Sequence, residues 1–149
     1  MMLRKFGLAM VLPLLLSVGS VWAADYGTAA EAKAMLDKVI AELKKDKAKA
    51  LAMFAKGEGG FKDRDLYPFC GGPDGNFTAH PKLAGQSMKN LQDKAGKPIG
   101  EEMYKVAQEG KIAEVAYMFP RPNETEPTAK VAYVTKVGDQ VCAVGYYKQ

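Results

Sequence analysis

The chain has 149 residues, 48% of them hydrophobic and 26% charged, with a formal net charge of +4. That length allows one domain, and the apolar share allows a core, which excludes a multidomain enzyme and a disordered chain. Residues 1–23 read as a secretory leader: Arg4 and Lys5 form a positive start, an apolar run follows from Phe6 to Val18, and Val21-Trp22-Ala23 offers a cleavage site. Removing Arg4 and Lys5 from the 21 basic residues leaves 19 against 17 acidic ones, a net charge of +2 that argues against a nucleic-acid partner. The run is too short for a spanning helix, and no later segment is apolar for long enough to cross a bilayer. The expected product is residues 24–149, one periplasmic domain.

Residues 28–56 read as one long amphipathic helix. Thr28 and Glu31 have the spacing of a capping box, and Met35, Leu36, Val39, Ile40, Leu43, Ala50, Leu51 and Phe54 follow a helical period. At roughly 1.5 Å per residue it would be about 40 Å long and must lie across something extended, such as a sheet. Lys38, Lys44, Lys45, Lys47 and Lys49 fall on its solvated face, offset in part by Glu42 and Asp46.

Gly57, Gly59 and Gly60 end that helix. Leu66 to Cys70 reads as a short strand in which Pro68, lacking a donor, should face an edge or a bulge. The turn residues 71–75 lead into a returning strand, Asn76 to His80, stopped by Pro81. Residues 82–98 are irregular, and Ile99 to Glu109 is a second, shorter helix ended by Gly110. Three strands complete the chain: Ile112 to Phe119, Ala129 to Val137 and, after the Gly138-Asp139 turn, Gln140 to Tyr147. The expected fold is α+β: a long N-terminal helix packed on a five-stranded, mostly antiparallel sheet, with residues 82–98 and the short helix over the other face. A loop segment lying on a sheet face should leave a pocket there.

Export changes the reading of the two cysteines. In an oxidising compartment an even count points to a Cys70–Cys142 bridge; a redox pair or metal ligands are the rival readings, but there is no C-x-x-C, and one histidine with two cysteines makes a poor metal site.

Catalytic chemistry is hard to assemble. His80 is the only histidine and Ser87 the only serine after residue 23, and Ser87 lies in no nucleophile elbow. Glu101-Glu102 opens a helix, where negative charge is favourable for structural reasons. Phosphate loops, dinucleotide fingerprints and haem motifs do not occur, and Asn123-Glu124-Thr125 matches a glycosylation acceptor only in form. The reading is a binder with no cofactor and no metal rather than an enzyme. Tyr67, His80, Tyr117, Lys130 and Tyr133 are the candidate ligand-binding residues: a cation supplies charge, and hydroxyls and an imidazole fix orientation, which suits a small carboxylate. Lys130 and Tyr133 stand three apart on one strand, which puts them on opposite faces unless a bulge intervenes.

Several ordered motifs resemble single Cache domains. Phe61-Lys62-Asp63-Arg64-Asp65-Leu66-Tyr67 is similar to the family's "drdlY" stretch, and Asp74-Gly75-Asn76-Phe77-Thr78-Ala79-His80-Pro81 to its "DG-x-x-x-AHP" hairpin. Leu83 to Ser87 resembles "lvGks", and Leu91 to Lys97 "lkDkdGk". Lys130 to Val134 resembles "Kv-x-yv", and Val144 to Tyr147 the closing "vGvY". The resemblance spans about residues 28–147 and implies an extracytoplasmic sensor domain of the Cache/PAS-like kind. Such a domain has its ligand pocket on the sheet face opposite the long helix, binds small molecules that are often short carboxylates, and passes the signal to a kinase or chemoreceptor. Only Lys148-Gln149 follow Tyr147, so the reading is a free periplasmic binder reporting to a separate membrane receptor or kinase. The reading from another class is a structural or protein-interaction module without a small ligand.

Overall fold

The computed structural model describes residues 25–149; the expected leader, 1–23, lies outside the described residues. Two helices open the fold, α1 (Ala29–Lys45) and α2 (Lys47–Lys56). Strands β1 (Pro68–Gly71) and β2 (Phe77–Ala79) follow, then helix α3 (Ile99–Val106) and strands β3 (Ala113–Pro120), β4 (Pro127–Val137) and β5 (Gln140–Tyr147). The five strands form one antiparallel sheet in the order β2-β1-β5-β4-β3.

Thr28 caps α1 through a complete capping box with Glu31, as the spacing predicts. The expected single helix is in fact two. Asp46 leaves helical geometry at φ −156° and ψ 98°, and its side chain accepts from Lys49 N at 3.0 Å, so it ends α1 and caps α2. The break redirects the chain. Helix α1 lies over β5 and β4, whereas α2 turns over β1 and β2, so two shorter helices span a twisted sheet that one straight rod would leave. Met35, Leu36, Val39, Leu43 and Phe54 pack there against Cys70, Cys142 and Val144.

Residues 82–98 and α3 cover the opposite face, as expected. Met88, Ile99 and Met103 fill the space over Phe69, Phe77, Val115, Val134 and Ala143. On this side Met88, Ile99 and Met103 make a packed core over the middle of the sheet, and open space is left only toward the start of the segment, at Lys82 and Leu83. The same segment guards the free edge of β3, where Lys97 Nζ donates to the Ala116 carbonyl. Strand β1 is internal rather than at an edge, but β2 pairs only from Cys70 onward, so Pro68 sits beyond that ladder and interrupts nothing. Cys70 and Cys142 face each other across β1 and β5 and form a disulfide, with Cα atoms 4.1 Å apart. Among the described residues no helix is long and apolar enough to cross a membrane.

Candidate functional site

Strand pairing builds the site around Lys130. Lys130 pairs with Tyr117 on β3 and with Tyr147 on β5, and directly opposed residues share a sheet face. Tyr67, the residue before β1, reaches the same place, and its hydroxyl lies 3.1 Å from Lys130 Nζ. The ammonium is 4.4 Å from the Tyr67 ring centroid, 4.7 Å from that of Tyr147, 5.4 Å from that of Phe119 and 5.9 Å from that of Phe69. Lys130 is 1% exposed, and no carboxylate among the described residues pairs with it. Ring faces attract a cation, but they do not cancel its charge.

His80 follows β2 and stands among aromatic rings, with centroids 5.0 Å from Phe77 and 5.5 Å from Tyr67. Its Nδ1 accepts from the backbone N–H groups of Lys82 at 3.0 Å and Leu83 at 3.1 Å, so the ring proton resides on Nε2. Burial, then the nearby charges of Lys130 and Lys82, push its pKa down to about 4. The imidazole is therefore a neutral donor at physiological pH. Burial also raises the hydroxyl pKa of Tyr117 and Tyr147, so both stay protonated.

A cavity of about 450 Å³ opens beside this cluster, at the end of the sheet. Residues 80–83, residues 119–124 and the C-terminal end of α2 enclose it, with Tyr67 and Phe119 in its wall. Among the described residues its basic lining is Lys56, Lys62, Arg64, Lys82 and Arg121, against Glu124 as the single acid. Arg121 Nε lies 3.5 Å from Asp65 Oδ2.

The structure thus brings Tyr67, His80, Tyr117 and Lys130 together, but only Tyr67 and His80 line the cavity; Lys130 and Tyr117 lie behind the Tyr67 and Phe119 rings. Tyr133 is a correction. Strand β4 pairs continuously with both neighbours, so no bulge intervenes and strict alternation sends Tyr133 to the helix-covered face, where its ring lies 5.8 Å from that of Tyr146. Phe119, Arg121 and Tyr147 escaped sequence reasoning. Tyr147 was legible as the strand end opposite Lys130; Arg121, between Pro120 and Pro122, carries no local signal. Among the described residues no His, Cys, Asp and Glu cluster could hold a metal ion.

The helices packed on a five-stranded antiparallel sheet agree with the fold that the comparisons find. The Cache domain family model matches residues 28–148. The chain belongs to the Cache domain family. Two solved structures share the fold of this Cache domain at a TM-score of 0.59. One, described as the periplasmic sensor domain of a chemotaxis protein, is 20% identical, over 80% of this chain and 90% of its own. The other, described under carboxylic acid recognition by a Cache chemosensory domain, is 21% identical, over 80% of this chain and 88% of its own. The methyl-accepting chemotaxis protein McpP of Pseudomonas putida is 34% identical over 56 residues, 38% of this chain. The Cache domain here matches only 10% of that receptor's length.

Proposed function

We propose that this Cache domain is an exported, periplasmic binding module that holds a small carboxylate in the cavity beside Lys130 and reports its occupancy to a separate membrane receptor or kinase. The observation that carries the reading is Lys130 itself, a buried cation with no carboxylate partner among the described residues, one aromatic ring away from an open, basic cavity. Leaving such a charge uncompensated is costly, and an anion supplied from outside removes the cost. In this reading the carboxylate accepts from the Tyr67 hydroxyl and from His80 Nε2, while Lys130 polarises Tyr67 from behind. Tyr117 supports Lys130 across the β3–β4 pair. Phe61, Leu83 and Phe119 give the acid's carbon body an apolar wall. The apolar leader, the disulfide and the kinship with chemotaxis sensor domains support an extracytoplasmic site of action.

A thermal-shift screen against acetate, propionate, pyruvate and succinate tests the reading. A ligand that binds only the folded state must raise its stability, by about 2.7 kcal/mol at a hundredfold excess over Kd. A clear rise with at least one acid is the expected result; no rise with any of the four overturns the carboxylate assignment.

A further inference from the structure

The segment that leads into α1 is held by residues that also wall the cavity. Arg64 Nη1 donates to the Tyr26 carbonyl at 2.9 Å, while the same guanidinium binds Asp63 and Glu31. Gly27 N–H donates to Asp65 Oδ1 at 2.7 Å. Gly27 is pressed so close to Leu66 that a Cβ would lie 2.1 Å from Leu66 Cγ. Arg121 closes the arrangement, its guanidinium 4.2 Å from the Tyr26 ring centroid and 5.1 Å from that of Tyr147. Arg64 and Arg121 both line the cavity.

The contact between Arg121 and Asp65 is incomplete. At 3.5 Å it is an ion pair without a hydrogen bond, and both Arg121 Nε and Asp65 Oδ2 are buried with no hydrogen-bond partner among the described residues. Buried groups left so are costly, which makes the pair a poor competitor. Asp65 already serves the Gly27 N–H through its other oxygen. Arg121 is therefore a cation in the cavity wall with a donor to spare, and a carboxylate in the cavity can offer it the bidentate geometry that Asp65 does not.

We propose that an anion bound in the cavity draws Arg121 away from Asp65 and Tyr26, so that occupancy loosens the Tyr26–Gly27 anchor at the start of α1. The inference rests on the carboxylate reading of the cavity and adds how its occupancy leaves the site. One side chain carries the coupling: when the guanidinium turns to the ligand, the Tyr26 ring loses its stacked cation and Asp65 loses its counter-charge. Linkage makes the effect reciprocal, so a change that weakens the hold of Tyr26 on Arg121 strengthens anion binding.

Hydrogen exchange at the Gly27 amide, with propionate as the probe and binding followed by calorimetry, tests this on the parent and on Tyr26→Ala. Tyr26 is 38% exposed, so its truncation leaves the core intact. Saturating propionate should speed exchange at Gly27 by about 5-fold or more, and Tyr26→Ala should tighten propionate binding. If propionate binds the parent while Gly27 exchange stays the same or slows, or if Tyr26→Ala binds no tighter, the coupling is overturned and the carboxylate site stands. If propionate does not bind the parent, the carboxylate reading falls, and the coupling with it.

Discussion

Gly145 stands where any side chain would strike Lys130: a Cβ there would lie 2.4 Å from Lys130 Cε. A glycine inside a strand forgoes packing and loses more entropy on folding, so its place in β5 makes sense only as room for the lysine stem. The buried cation thus depends on a residue on the neighbouring strand. Gly145→Ala should displace Lys130 from its ring of aromatics, weaken carboxylate binding at least tenfold and destabilise the fold by about 1–3 kcal/mol. Chemical denaturation and calorimetry on the same variant check both; unchanged binding would show that the position of Lys130 is immaterial.

Lys130→Met separates charge from packing. Methionine keeps most of the stem's volume among the rings but carries no charge to compensate. Replacing a buried ion by an apolar residue of similar size is often neutral or stabilising. We expect stability within about 1 kcal/mol of the parent, or above it, together with loss of carboxylate binding. Lys130→Ala is the poorer test. At 1% exposure the lysine is core, and truncating its stem leaves a cavity.

The sequence carried the order of the elements because each rests on local rules: the Thr28 capping box, the glycine stop after α2, and the alternation that made β4 and β5 strands. It missed the break at Asp46. Apolar spacing continues through residues 43–51 on both sides and hides the one local signal of the break, Asp46 as the cap of α2 through Lys49 N. The site was half legible. Alternation alone already opposed placing Tyr133 with Lys130, and the continuous register decides the matter. The position of the cavity depends on how completely Met88, Ile99 and Met103 fill the sheet face, which is tertiary packing that spacing does not encode. Arg121 becomes meaningful only when Tyr26, Asp65 and Tyr147 converge on it from distant parts of the chain.

The disulfide joins β1 to β5 at the centre of the sheet, and both cysteines are fully buried. A separation of 72 residues places its effect on the unfolded chain at about 4 kcal/mol by loop closure. The paired substitution Cys70→Ala with Cys142→Ala should lower the unfolding free energy by up to about that amount and raise the denaturant slope, because the unfolded chain without its cross-link exposes more surface. Urea titrations of parent and variant measure it. A loss of less than about 1 kcal/mol would mean that the bridge does little to hold β1 in place.

His80 sets the acid limit of the domain. Its pKa is pushed down to about 4 in the folded chain from an ordinary value of 6.5, chiefly by burial. The unfolded chain therefore binds the extra proton first, and between pH 6.5 and 4 unfolding takes up protons, so stability rises with pH across that window. The contribution is fully present above pH 6.5 and is lost as pH falls toward 4. At about 1.4 kcal/mol per pH unit it amounts to roughly 3 kcal/mol. Protonating Nδ1 also removes the acceptor that Lys82 and Leu83 share, so the 80–83 turn at the cavity mouth should open as the histidine charges. Denaturation at a series of pH values should show this slope in the parent. In His80→Asn, which has no group titrating there, the slope should be flatter through the same window. Carboxylate affinity should stay level from pH 6 to 8, because His80 remains a neutral donor throughout. An affinity that climbs as pH drops from 8 to 6 would mean that a charged His80 holds the ligand, and the neutral-donor role would be wrong.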